Sequence, residues 1–247
     1  MSELVGLNEL ANNPNLTFIA FIAFVQIATL GVRFGLYAYW NGRASSDDAQ
    51  TVLWGYLLLV GLAAAGYGLV GIGRIVLFAD WLLELTTGFA LLLVLLVALT
   101  LREIEYTSTF TGETDVDPSQ ADTAITAAFL LAVVIVTIGL LALPDRRQAM
   151  AGLVGLAGVV FFLYGYRYGS RHLERTRIQG TLLDTLLRHL LPVLVFGSLI
   201  PIVELATVAG LDRIIVLHVQ IVLVIMTAMM LMTSTIKLRQ NLSGLRG

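Results

Sequence analysis

The sequence predicts an all-α membrane protein: a seven-transmembrane-helix bundle, N-terminus outside and C-terminus cytoplasmic, forming one domain over residues 1–247. Three observations carry that expectation. The chain is 57% hydrophobic and only 13% charged, where an ordinary soluble domain is about half apolar and a quarter charged. The apolar residues fall into runs of roughly 20, the length that crosses ~30 Å of hydrocarbon. The basic residues between those runs are unevenly divided between the two sides.

The expected spans are about 16–40, 50–72, 75–100, 123–143, 149–169, 189–209 and 212–236. The first ends in Tyr37, Tyr39 and Trp40, an aromatic belt suited to a membrane interface. The second is rich in small residues, Gly61, Ala63, Ala64, Ala65, Gly66 and Gly68, which let helix backbones approach closely in lipid. The third opens at Arg74, so its turn from the second is very short. A long acidic loop over 102–122 follows, broken by Gly112 and Pro118. The fourth closes at Pro144, and the fifth runs into Tyr164, Tyr166, Arg167 and Tyr168. Apolar residues from Ile178 to Leu187 at helical spacing predict an amphipathic lead-in to the sixth, which holds Pro192 and Pro201. The seventh carries Met226, Met229, Met230 and Met232. An N-out arrangement puts ten basic residues on the cytoplasmic side and four outside, which fixes the orientation and requires an odd number of spans.

Several function classes recede at once. A net charge of −2 argues against a nucleic-acid partner, and with no cysteine there is neither a disulfide nor a thiol site. His172, His189 and His218 are scattered without metal-ligand spacing, and no nucleophile–base set or phosphate loop is present. No enzyme, metal or catalytic residue is therefore expected. Of the fifteen basic residues only Lys237 is lysine, and the loops are acidic, a composition of archaeal halophile type.

The informative residues are those that lipid should not tolerate. Asp80, Glu84 and Thr87 are spaced to share one helix face, which must point into the bundle because a charge facing lipid costs several kcal/mol. Arg74, Arg33 and His218 are the candidate cations for this pair. Glu204 follows Pro201, whose ring frees a backbone carbonyl and bends a helix. These groups suit a proton site, an ion site, the polar end of a ligand pocket or a purely structural network. Met230 and its neighbours read as core filling or as a soft wall for an apolar ligand. Arg167, Arg171, Arg175 and Arg177 form a cytoplasmic contact surface for anionic lipid or a partner.

Seven spans with Ala79-Asp80-Trp81-Leu82 in the third and Thr86-Thr87 just beyond resemble the microbial (type 1) rhodopsins. The resemblance extends weakly to Tyr67, to Pro201 and to Asp47-Asp48-Ala49. It implies the seven-helix scaffold, with Asp80 at the counterion position and Tyr67, Trp81 and Pro201 around the retinal pocket. It does not imply photochemistry. The retinal-bearing lysine falls near Met230, seven residues before Lys237, and the arginine expected just before Asp80 is Leu77. The chain thus resembles a lysine-less, opsin-related member with no covalent retinal, a non-photoactive sensor, partner subunit or binder of an apolar ligand such as a carotenoid or lipid. The alternative is a small proton- or ion-linked transporter using Asp80 and Glu84. The expected partners are the lipid bilayer and either a membrane protein or further copies of the chain, and the expected location is the cell membrane, multi-pass.

Overall fold

The computed structural model describes Leu10 and residues 13–45, 51–77, 79, 81–109, 120–143, 146–173 and 182–246. Among them every regular element is helical: α1 (Pro14–Ala44), α2 (Thr51–Leu77), α3 (Trp81–Thr109), α4 (Gln120–Ala142), α5 (Arg147–Leu173), α6 (Leu182–Ile202), the single turn α7 (Leu205–Val208) and α8 (Arg213–Arg246). All but α7 are long and apolar enough to cross a membrane, which makes seven.

The ends of these helices have local causes. Asn13 caps α1 by accepting from the backbone N–H groups of Asn15 and Leu16 at 3.1 and 3.2 Å, and Pro14 takes the first helical position, where no N–H is needed. After α7 the chain turns at Gly210, whose φ of +90° lies in the left-handed region that glycine tolerates. Asp212 then starts α8 by accepting from the N–H of Ile214 at 2.7 Å.

Each helix runs antiparallel to the next long one. α1 packs on α2 and α8, α6 packs on α8, and α3 touches α2, α4, α5 and α6, so α3 is the axis of the bundle. Two-thirds of its apolar stretch is buried, against 17% for peripheral α4. The α1–α2 seam depends on glycine: a Cβ on Gly61 would lie 2.5 Å from the Cα of Gly35, and one on Gly68 would lie 2.6 Å from the backbone oxygen of Phe24. At the far end of that seam Asn41, fully buried, ties α1 to α8. Its amide donates to the Leu238 carbonyl at 3.0 Å, and its oxygen accepts from Asn241 at 2.7 Å.

Three boundaries differ from the sequence reading. Arg74 belongs to the last turn of α2, not to the opening of the third span. α3 continues to Thr109, so Arg102, Glu103 and Glu105, assigned above to an acidic loop, are helical, with Arg102 and Glu105 buried. A cluster of charges reads as loop in a sequence, whereas here Tyr56, Thr126 and Tyr164 accept from the two terminal nitrogens of Arg102 from three other helices. From Leu182 onward the expected lead-in is continuous with the sixth span, and Ile178 lies outside the described residues. Leu186, Leu187 and Leu190 are fully buried within α6, which ends at Ile202 just past Pro201.

Candidate functional site

Polar side chains collect at both ends of the bundle, and at the end where α1 begins they line two adjoining cavities. The wider, a vestibule of about 230 Å³, is walled by Glu84, Thr87, Arg147, Glu204, Thr207 and Arg213. The deeper, about 50 Å³, reaches Tyr67, Arg74, Thr87, Pro201, Glu204 and Gln220. Leu83, Thr87 and Glu204 line both, so the two form one stepped chamber.

The chamber is assembled from helix ends. The first turns of α3, α5 and α8 supply Glu84, Arg147 and Arg213, and the last turn of α2 supplies Arg74. Three helix N-termini therefore face the vestibule, adding their positive dipole ends to the arginines. Glu204 stands where α6 ends, three residues past Pro201. There its N–H bonds to the Pro201 carbonyl at 3.2 Å, which leaves the carbonyl of Ile200 free. Gln220 of α8 fills that vacancy at 3.3 Å and donates to the Glu204 carboxylate at 2.6 Å. Such a substitute partner is what a broken spanning helix requires where no bulk water can reach it.

Both acids on the chamber walls are engaged. Glu84 pairs with Arg147 at 3.1 Å, and Glu204 holds Gln220. The cations are in excess: among the described residues neither Arg74 nor Arg213 makes a hydrogen bond or ion pair. Tyr67, 3% exposed, stacks edge-on against Phe24 at 5.6 Å, and its hydroxyl has no hydrogen-bond partner among the described residues. Beyond the chamber the bundle is shut. Leu91, Leu95, Leu99, Leu194 and Leu231 have no exposure at all.

The candidate residues divide as follows. Tyr67, Glu84, Thr87, Pro201 and Glu204 come together around the chamber. Trp81 is 56% exposed and lines neither cavity, because the first residue of α3 turns away from the bundle. His218 is exposed on α8, with its Nδ1 2.6 Å from the Ile214 carbonyl, and Arg33 is exposed on α1, so neither reaches Glu84. Met230 is half-buried against the core and lines neither cavity, while Met229 and Met232 point outward. Arg167 is exposed at the end of α5. Asp80, Arg175 and Arg177, and the side chain of Arg171, lie outside the described residues.

The pairing of Glu84 with Arg147, and of Glu204 with Gln220, has no signal in local spacing, because each pair joins different helices. The same holds for the second polar centre, at the opposite end. There the buried guanidinium of Arg102 donates to Thr126 at 2.9 Å, to Tyr164 at 3.3 Å and to Tyr56 at 3.4 Å. Its only sequence signal is an arginine flanked by tyrosines on neighbouring spans. This cluster ties four helices together and adjoins no cavity described above.

Among the described residues no group of three His, Asp or Glu side chains could hold a metal ion. No protein-family model matches the chain, and no curated protein and no solved structure matches it.

Proposed function

We propose that the chain is an opsin-like, multi-pass cell-membrane protein without covalent retinal, acting as a non-photoactive sensor or partner subunit that receives its signal in the chamber. The observation that carries this reading is the division of the interior. A chamber with charged walls, open at one end, stops against leucines with no exposure, which supports a receiving site over an open conduction path. With the N-terminus outside, that chamber faces outward, and Arg167 with Arg171, Arg175 and Arg177 is the cytoplasmic surface for anionic lipid or a partner. Catalysis forms no part of the proposal.

The chromophore-free reading draws support from α8. Met230, near the family's attachment position, carries a thioether that forms no imine, and Lys237 lies about 10 Å further along at ~1.5 Å per residue. Binding of a carotenoid or another long apolar ligand draws less support, since the two compartments, about 50 and 230 Å³, together stay below the ~300–1,000 Å³ of pockets for drug-sized ligands. The microbial-rhodopsin resemblance accordingly supplies the scaffold and not the activity.

Protein purified after growth with retinal should show no visible absorption band. A band that hydroxylamine removes would overturn the reading. The second reading, a proton- or ion-linked transporter, is favoured by one feature: Glu84 and Glu204 line a chamber open at one end, as one state of an alternating-access carrier would. It requires a gradient-driven flux in liposomes that Glu84→Gln abolishes without lowering thermal stability. The sensor reading expects no flux.

A further inference from the structure

The composition of the chamber bears on what it receives. Its described walls hold three arginines, Arg74, Arg147 and Arg213, against two glutamates, Glu84 and Glu204. Both glutamates are already engaged, Glu84 with one of the arginines and Glu204 with Gln220. Two guanidiniums are left over, one in each compartment. A planar fork of N–H donors matches a carboxylate two bonds at a time.

The neutral groups point the same way. Tyr67 is 3% exposed, its hydroxyl has no hydrogen-bond partner among the described residues, and it lines the deep cavity with Arg74. A hydroxyl that opens onto a cavity with no protein partner is left for water or a ligand. At about 50 Å³ the deep cavity holds a few water-sized groups, at ~10–15 Å³ of such space each. That is the scale of a carboxylate head. The vestibule of about 230 Å³ leaves room for a short tail. The converging N-termini of α3, α5 and α8 favour negative charge along the entry path.

We propose that the chamber binds a small organic carboxylate, which enters past Arg213 and seats its head on Arg74 and the Tyr67 hydroxyl. The ligand completes the donors that the protein leaves over, and it neutralises the one net positive charge on the described walls. The proposal deepens the sensor reading by naming the ligand class, and it rests on that reading for the chamber's role as the receiving site.

Direct binding tests it without any signalling readout. The purified full chain in lipid nanodiscs is titrated with sodium acetate at constant ionic strength, by calorimetry and by thermal shift. Sodium chloride serves as the competing anion. Saturable acetate binding is expected. It should weaken tenfold or more in Arg74→Gln, as expected for loss of a charge-assisted contact, and several-fold in Tyr67→Phe and in Arg213→Gln, which removes the charge along the entry path. Arg33→Gln, on the exposed side of α1, should bind like the parent. Arg213 is exposed at the mouth, so its variant keeps the test decisive even if Arg74→Gln fails to fold. Non-saturable acetate effects, binding unchanged in Arg213→Gln, or chloride displacing acetate with equal strength would each overturn the proposal. Acetate binding combined with Glu84-dependent flux would retain the carboxylate site and remove the sensor reading. No binding, no flux and no chromophore would do the reverse.

Discussion

Adding one methyl group at two glycines of α2 should shift stability in opposite directions. Gly55 is exposed near the start of α2, and nothing lies within 4 Å of where its Cβ would stand. Gly55→Ala therefore gains only helix propensity, up to roughly 1 kcal/mol. Gly61 faces α1, where the same Cβ would stand 2.5 Å from both the Cα and the N of Gly35 and 2.8 Å from the carbonyl oxygen of Gly31. Ordinary carbon contacts sit near ~3.5–4 Å, so α1 and α2 must part by about 1 Å. All three obstructing atoms are backbone, so no side chain can rotate away to absorb the change. Overpacking of this kind costs about 1–3 kcal/mol, which outweighs the propensity term. The two variants should differ by about 1–3 kcal/mol in reversible unfolding from mixed micelles, with Gly55→Ala at or above the parent and Gly61→Ala below it. Equal shifts, or a stabilised Gly61→Ala, would refute the claim that backbone contact sets the α1–α2 distance. The seam also bears on function, since α2 carries Tyr67 and Arg74 into the chamber.

Two further outcomes follow from single contacts. Asn41→Leu removes the amide that bridges α1 to α8 and strands the Asn241 side chain, so unfolding should be easier by about 1–3 kcal/mol. Asn241→Ala should cost less, because Asn41 keeps its bonds to the Tyr37 and Leu238 carbonyls. A double-mutant cycle on Glu84→Gln and Arg147→Gln should return a coupling of only ~0.2–1 kcal/mol, weakening with salt, because the Arg147 side chain is 42% exposed. A coupling of several kcal/mol would mean that this ion pair is shielded from solvent.

The scaffold was legible because lipid leaves few solutions. A run of about 20 apolar residues must satisfy its own backbone and so becomes a helix. Seven such runs appear as seven helices. The boundaries were less legible where charge and structure disagree. Arg102 looks like the start of a loop because an arginine in hydrocarbon is costly. That cost is offset by hydroxyls from α2, α4 and α5, which no local window contains. Arg74 was assigned to the wrong helix for the opposite reason: with only residues 78–80 between α2 and α3, no polar gap marks the change.

The site was legible as residue types and illegible as pairings. Helical spacing finds neighbours on one helix, and it led from Glu84 to Asp80, Thr87 and the nearby Arg74. It has no means of finding Arg147, because that contact is made by the first turn of α5 reaching across to the first turn of α3. Nor could it choose between Glu204 as a hydrated surface acid and as a wall group, since that depends on Gln220 filling the carbonyl freed at Pro201. The consequence changes the sign of the site. Read along α3 alone, this end of the bundle is acidic and in search of protons or a cation. Assembled from four helix ends, its described walls carry an excess of arginine, with both acids already engaged, and the group in search of a partner is the guanidinium of Arg74 beside the Tyr67 hydroxyl. On the described walls the cations outnumber the acids, and the ligand proposed for this chamber is accordingly compact, anionic and able to take two N–H bonds at once.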